Sequence, residues 1–128
     1  MRKFIFILIG INFFSLSAKC QYQDINLAND YFYKGEWEKA KLIYEKYIKN
    51  EISTSLIHKN YLQTLFFLQD YKTAERYIKK CIKNNPDVPS YNIDYLVLLQ
   101  REGKKKEFEK YISSLTDQID YDEWKTKL

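Results

Sequence analysis

Residues 31–48 read YFYKGEWEKAKLIYEKYI, and residues 65–82 read LFFLQDYKTAERYIKKCI. Trp37 and Tyr71 hold the same place in these two stretches, and so do Ala40 and Ala74. Both stretches have apolar residues at helical spacing, and a helical pattern that recurs every ~34 residues is typical of a solenoid of helix-turn-helix units. The sequence therefore predicts an all-α fold, a right-handed solenoid of about three such units.

Each predicted unit contains two helices that meet at a tight corner. Gly35 marks the first corner, because a residue just past a helix end often takes a positive φ angle. Gln69 stands at the second corner and Gly103 at the third, so glycine is missing once. In the third unit Phe108 replaces the alanine of the first two, and a bulky ring at a close helix crossing predicts altered packing. The predicted units cover residues 21–54, 55–88 and 89–122.

The spacing of these residues resembles the tetratricopeptide repeat. In that family a small residue and an aromatic residue on the first helix are coupled to an alanine, an aromatic residue and a closing proline on the second. The resemblance covers residues 21 to about 122, and its positions are Ala28, Tyr31, Gly35, Trp37, Ala40 and Tyr44 in the first repeat and Leu62, Leu65, Tyr71, Ala74, Ile78 and Pro86 in the second. The family implies a scaffold that binds an extended peptide or a helix on the concave face lined by the first helix of each pair.

On this resemblance, a set of polar and aromatic side chains forms the candidate partner-binding surface. The set comprises Tyr22, Asn29, Phe32 and Tyr33 of the first repeat, and Lys59, Gln63, Phe66 and Phe67 of the second. Leu65, Phe66 and Phe67 are consecutive, and one narrow helix face cannot hide three large apolar side chains. At least one ring is therefore expected to meet solvent or a partner. The alternative is that one phenylalanine packs between the helix pairs and that the other is an ordinary exposed aromatic residue.

One ligand of the family is not predicted here. Chaperone cofactors with these repeats hold a terminal carboxylate between lysine, arginine and asparagine side chains. The corresponding positions are Ile25, Asn29, Asn60, Ser90 and Asp94. Both asparagines match, but the three cationic positions hold an aliphatic residue, a hydroxyl and an acid, so the charge complementarity is absent.

The start of the chain has the composition of a secretory leader. Two basic residues precede an apolar run from Phe4 to Leu16, and small residues follow. A helix of about 13 residues spans about 20 Å, which is short of the roughly 30 Å hydrocarbon core of a bilayer. Residues 1–20 are therefore predicted to be a signal peptide, cleaved after Ala18 or after Cys20, rather than a retained anchor.

Cys20 also permits a second interpretation of the leader. A cysteine just past an apolar run is typical of a bacterial lipoprotein, whose thiol carries acyl chains. Lys19 argues against this, because a small residue is typical of that position. The chain is expected to be periplasmic or secreted, with an envelope-anchored lipoprotein as the alternative. Membrane contact is expected only if the leader is retained or Cys20 is lipidated.

The charge of the chain gives no support for nucleic-acid binding. The sequence has 21 basic and 17 acidic residues and a formal net charge of +4. Residues 1–20 contain three of the basic residues and none of the acidic ones, so cleavage leaves 18 basic against 17 acidic residues. The basic run at 104–106 is flanked by glutamates. A solvated helix start is therefore favoured over a phosphate-binding patch.

No catalytic, cofactor-binding or metal-binding residues are predicted. His58 is the single histidine, whereas a zinc site needs three or four ligands and a nucleophilic triad needs a base and a group that orients it. Cys81 is expected to be a buried, inert thiol. The three glycines are isolated, so the sequence contains no glycine-rich phosphate loop. The chain is therefore expected not to be an enzyme.

The end of the chain is predicted to close the solenoid. Residues 117–128 are expected to form a short C-terminal capping helix, capped at Thr116 or the next residue, with Ile119, Trp124 and Leu128 along one side. Solenoids need such an element to cover their last apolar face. The alternative for this segment is a patch for a partner, or for self-association through the terminal repeats.

Two functions are consistent with these features. The first is a non-enzymatic scaffold or adaptor, exported to the bacterial envelope, which binds a peptide or a helix of another protein on its concave face. The alternative is a structural subunit whose terminal repeats stack into a homo-oligomeric or multi-protein envelope assembly. Both imply a protein partner, no nucleic acid and no cofactor.

Overall fold

The computed structural model describes the backbone of residues 22–49 and 51–126, and the side chains of residues 22–49 and 55–117. The helices are α1 (22–33), α2 (Trp37–Tyr47), α3 (Glu51–Phe67), α4 (Tyr71–Asn84), α5 (Pro89–Arg101) and α6 (Lys105–Thr126). Regular structure in these ranges is entirely helical, which confirms the all-α prediction. The predicted leader and its cleavage sites lie outside the described residues.

Three corners of the backbone recur with the period of the sequence. Gly35, Gln69 and Gly103 take positive φ angles of 76°, 54° and 70°. The amide of each donates to the carbonyl three residues earlier, and at the first and third corners the next amide donates to the carbonyl five residues earlier. That pair of bonds defines a Schellman cap at a helix end. The corner thus recurs even at Gln69, where the sequence departs from glycine.

The helices that follow the first two corners also begin alike. Glu36 precedes α2 with φ −88° and ψ 59°, and Asp70 precedes α4 with φ −81° and ψ 60°. Asp70 Oδ1 accepts a hydrogen bond of 3.2 Å from the Thr73 amide. This bond satisfies one of the free amides at the start of α4. The period of the sequence is therefore also a period of backbone conformation.

The third corner keeps the positive φ angle of the first two, but the side chains that pack beside it differ. Ala40 and Ala74 are fully buried, as close helix crossings require. Phe108 holds the equivalent place in α6 and is partly exposed. A cavity of about 280 Å³ opens beside its ring, lined also by Gln100 and Gly103. The Phe108 ring is therefore less buried than the alanines it replaces, and the altered helix packing there stays a prediction.

The prediction of a separate capping helix at residues 117–128 is wrong. α6 is a single helix of 22 residues and continues through Thr116 without a break. The Thr116 hydroxyl donates to the Ile112 carbonyl at 3.1 Å, so it bonds within the helix instead of capping a new one. No glycine or proline occurs after residue 103, and nothing in the sequence therefore ends the helix here. The side chains expected to form the cap, Ile119, Trp124 and Leu128, lie outside the described residues.

The chain divides into two compact units, one ending at Gln69 and the other beginning at Asp70. In the first unit α2 packs against α3, and the buried apolar residues are Ile25, Ala28, Ala40, Tyr44, Ile57, Tyr61, Leu62, Leu65 and Phe66. In the second unit α5 packs against α4 and α6, and the buried apolar residues are Ala74, Tyr77, Ile78, Cys81, Tyr95, Leu98 and Leu99. The Cys81 thiol is free and buried, as the sequence predicted. All the candidate binding residues precede the boundary and belong to the first unit.

Candidate partner-binding site

Aromatic rings from three helices gather at the first corner. Phe32 and Tyr33 end α1, Trp37 begins α2 and Phe67 ends α3. The Phe67 ring stacks on the Trp37 ring, with centroids 4.5 Å apart and planes 12° apart. The Phe32 ring lies 6.2 Å from that of Phe67 and 5.3 Å from that of Tyr33. These four residues are called the corner aromatic cluster below.

The corner aromatic cluster is open to solvent. Tyr33 is 77% exposed and Phe67 is 51% exposed, and the other two rings are partly exposed. Aromatic rings contribute strongly to interfaces because each can bury a large apolar area in few conformations. The expectation that one ring of the Phe66–Phe67 pair meets solvent is confirmed by Phe67.

Phe66 lies in the core rather than on this surface. Its side chain is 7% exposed, although it neighbours an exposed residue in sequence. Adjacent residues on an α-helix point about 100° apart, so Phe66 and Phe67 face different surroundings. The structure thus shows the arrangement in which one of the two phenylalanines packs inside. A partner approaching from solvent can reach Phe67 but not Phe66.

The accessible residues of α3 form one stripe along the helix. Lys59, Gln63 and Phe67 follow each other at intervals of four residues, and all three are exposed. Leu56, which is 51% exposed, extends the stripe toward the start of the helix. On α1, Tyr22 is 59% exposed at the opposite end from the aromatic cluster. Apolar side chains therefore mark the two ends of this surface, and polar ones lie between them.

Asn29 joins the three helices of the first unit. Its Oδ1 atom accepts a hydrogen bond of 2.6 Å from the Tyr44 hydroxyl of α2 and one of 2.9 Å from Asn60 Nδ2 of α3. An asparagine amide has two N–H donors and one carbonyl acceptor. Asn29 Nδ2 and Asn60 Oδ1 therefore retain hydrogen-bonding capacity, and both residues are partly exposed. The middle of the surface offers a donor and an acceptor of the kind that a peptide backbone requires.

Tyr44 holds this amide pair in place from the buried side, through the hydrogen bond to Asn29. Its side chain is fully buried. Burial raises the pKa of Tyr44 to about 12, an effect that the nearby Asn60 amide partly opposes. The hydroxyl is protonated at neutral pH and donates its hydrogen bond to Asn29 Oδ1. In this way a core residue fixes the orientation of a candidate binding residue.

Trp37 and Tyr44 take part in the site although the sequence did not predict them there. A Cβ added at Gly35 would lie 3.9 Å from the Trp37 ring, so this ring packs beside the first corner. The ring also supports Phe67, which comes from α3, a helix later in the chain. The aromatic character of both residues was a sequence signal. Which ring stacks on which depends on how α3 crosses α2.

In the comparisons with known proteins, no family model, no curated protein and no solved structure matches this chain. Within the described residues, no group of histidine, cysteine, aspartate or glutamate side chains is arranged to hold a metal ion. None of the helices described there is both long enough and apolar enough to cross a bilayer. The geometry of the corner aromatic cluster and its neighbours is therefore the basis for a proposed function.

Proposed function

We propose that this protein is a non-enzymatic binding module, a helical-repeat scaffold of the tetratricopeptide type that is exported to the bacterial envelope. It binds an extended peptide or a helix of another protein on the surface formed by α1 and α3. The observation that carries the proposal is that Phe67 remains 51% exposed while it stacks on Trp37. A contiguous group of open rings on a packed support is typical of a surface that binds an apolar partner.

The recurring backbone supports the repeat part of the proposal. The positive-φ corners at 35, 69 and 103 are evenly spaced, and their spacing equals the period of the tetratricopeptide repeat. The second helix of one predicted repeat packs against the first helix of the next in both units, as α2 does with α3 and α4 with α5. Nearest-neighbour packing of this kind is what a solenoid requires.

The arrangement of the side chains favours binding with a low entropic cost. Phe67 is already held against Trp37, so it loses little rotamer freedom when a partner covers its open face. An apolar side chain of the partner packs against Phe67 and Tyr33. The free amide atoms of Asn29 and Asn60 then pair with the partner's backbone or polar side chains.

Selection of binders from a displayed peptide library, followed by calorimetry on a selected peptide, tests this surface. Phe67→Ala and Tyr33→Ala should each weaken binding about tenfold, or about 1.4 kcal/mol. Leu42→Ala is the matched control, because Leu42 is 65% exposed on α2, outside the corner aromatic cluster. Circular dichroism verifies that each variant is folded. If the peptide binds both cluster variants as tightly as the wild type, the surface is assigned wrongly.

The export part of the proposal rests on the sequence of residues 1–20 and is tested separately. N-terminal sequencing of the protein from fractionated cells should give a start at Lys19 or at Gln21, depending on the cleavage site. Incorporation of labelled palmitate would instead identify the lipoprotein alternative at Cys20. A cytoplasmic protein that still begins at Met1 would contradict export.

A further inference from the structure

Two interfaces between consecutive helices share one register. In the first unit the Tyr61 ring of α3 packs edge-on against Tyr44 of α2 at 6.2 Å, and its hydroxyl donates to Glu45 Oε1 at 3.5 Å. In the second unit Lys79 of α4 lies 5.4 Å from the ring centroid of Tyr95 of α5. Tyr61 and Tyr95 are one repeat period apart, and so are Glu45 and Lys79. Each interface thus shows how a helix pair packs against the helix that follows it.

The positions at these interfaces are largely buried and mostly apolar. On the following helices, Ile57, Tyr61 and Thr64 of α3 are 0%, 3% and 0% exposed, and Tyr95 and Leu98 of α5 are 9% and 0% exposed. On the preceding helices, Tyr44 of α2 and Ile78 of α4 are both fully buried. A residue at one of these positions is therefore buried when another helix packs against it.

The same positions on α1 carry a different chemistry. The equivalents of Ile57, Tyr61 and Thr64 are Gln23, Leu27 and Asp30, and all three are exposed. Leu27, at 45% exposure, is the only apolar member. A carboxylate stands where α3 has a fully buried threonine and α5 a fully buried leucine. The outward face of α1, defined by these three residues, is therefore chemically unlike the faces that pack inside the chain.

The outward face of α6 has changed in the same way. Lys105 stands one repeat period after Tyr71, and Thr116 stands one period after Ile82. Lys105 and Glu109 form an ion pair of 3.9 Å across this face, with 86% and 64% of their side chains exposed. Ile112 takes the place of the fully buried Ile78 but is 40% exposed. On this face of α6, Ile112 is therefore an apolar residue among the exposed polar side chains of Lys105, Glu109 and Thr116.

We infer that the outward faces of α1 and α6 prevent one copy of the protein from stacking head-to-tail on another, so that the protein works as a single copy. Docking α1 of one copy on α6 of another in the internal register would bring Leu27 to Ile112, which is favourable. In the α2–α3 interface Trp37 contacts Phe67, and Tyr44 contacts Tyr61. Position 41 lies about midway between the two residues of α2 and position 64 midway between the two of α3, so these two positions face each other. Their equivalents across the docked copies are Glu109 and Asp30.

The opposed carboxylates would repel each other, and the Asp30 side chain would lose water without the partner that a buried charge needs. A single Leu–Ile contact does not offset these costs. The two faces therefore act as caps of the kind that repeat proteins need at their ends. This inference stands independently of the peptide-binding surface and opposes the alternative of a stacked structural subunit.

Two double variants restore the internal residues and test the inference. Gln23→Ile and Asp30→Leu give α1 the residues found at 57 and 98, while Lys105→Tyr and Thr116→Ile give α6 those found at 71 and 82. Sedimentation velocity over a concentration series should show monomers for the wild type and for each double variant. A mixture of the two double variants should form a one-to-one complex, and the protein with all four changes should form longer chains.

Two results would overturn the inference. The first is a wild-type protein that associates as its concentration rises. The second is a mixture of the double variants that stays monomeric while circular dichroism shows intact helices. The mixture decides the matter even if the fourfold variant does not fold. Peptide binding at Phe67 is measured separately, so neither result depends on that surface.

Discussion

The corner between α3 and α4 places Gln69 at φ 54°, in the left-handed region that L side chains rarely adopt. A residue with a Cβ is disfavoured there by roughly 1–2 kcal/mol, because the Cβ approaches the following carbonyl oxygen. Glycine relieves this strain. It also has more conformational freedom in the unfolded chain, and this lowers the gain in the free energy of unfolding by roughly 0.5–1 kcal/mol. The Gln69 side chain is exposed, so its removal forfeits no burial. Gln69→Gly is therefore expected to stabilise the protein by about 0.5–1 kcal/mol.

The reverse change at Gly103 isolates the backbone effect. The φ angle there is 70°, and a Cβ added to the residue would have no heavy atom within 4 Å apart from those of Gly103 and its two chain neighbours. The Cβ of Gly103→Gln therefore meets no steric obstacle from neighbouring groups, and the net cost is the left-handed strain less the entropy that glutamine saves in the unfolded chain. It is expected to destabilise the protein by about 1 kcal/mol. In the double variant Gln69→Gly and Gly103→Gln, the change in the free energy of unfolding should equal the sum of the two single changes, because the corners are far apart in the chain.

Urea unfolding followed by far-UV circular dichroism measures these differences. The unfolding midpoint should rise for Gln69→Gly and fall for Gly103→Gln with little change in the slope, because neither substitution alters the surface exposed on unfolding. A thermal shift of about 4 °C would accompany a change of about 1 kcal/mol. If Gln69→Gly is neutral or destabilising and Gly103→Gln is neutral, the corners are not left-handed and the periodic backbone is assigned wrongly.

Three further changes probe the packing and the caps. Ala74→Leu should overpack a fully buried position and cost about 1–3 kcal/mol, and an unchanged melting temperature would contradict the repeat register. Asp70→Ala removes the acceptor for the Thr73 amide and should cost about 1 kcal/mol in urea unfolding, whereas Asp70→Asn should retain most of the stability. Burial raises the pKa of Tyr44 from an ordinary value of 10 to about 12, so its neutral form stabilises the fold below about pH 10. That stability is lost as the pH rises toward 12, and the loss should be smaller in Tyr44→Phe. If the free energy of unfolding falls equally with pH in both proteins above pH 10, Tyr44 does not resist ionisation.

Much of the fold could be predicted, because the repeat period shows in residue types that determine the local backbone conformation and packing. Gly35 and Gly103 mark left-handed corners, and the alanines at 40 and 74 mark close crossings that are buried in the structure. The end of the chain was predicted less well. Thr116 has the residue type of a helix cap, but without a following breaker its hydroxyl bonds inside α6. A capping residue type alone does not start a helix when the preceding helix has no reason to end.

The candidate site was only partly predictable for a different reason. Consecutive large apolar residues showed that one of Phe66 and Phe67 had to be exposed, but not which one. The tertiary structure decides this, because Phe66 is buried in it whereas Phe67 stacks on Trp37 of α2 and stays half exposed. Packing between α1 and α3 likewise brings Asn60 to Asn29, although the two lie far apart in the sequence. Neither contact follows from spacing within a single helix.

The helical class, the repeat period and the positions of the corners follow from the amino-acid sequence alone. These depend on interactions among near neighbours: apolar spacing along a helix, the φ preference of glycine and the volume of an alanine side chain. The tertiary structure, by contrast, sets which aromatic rings remain exposed and which polar groups retain hydrogen-bonding capacity. It also showed that the outward faces of α1 and α6 are exposed and polar. Those properties depend on which helix covers which, and burial is set by residues that lie far away in the chain.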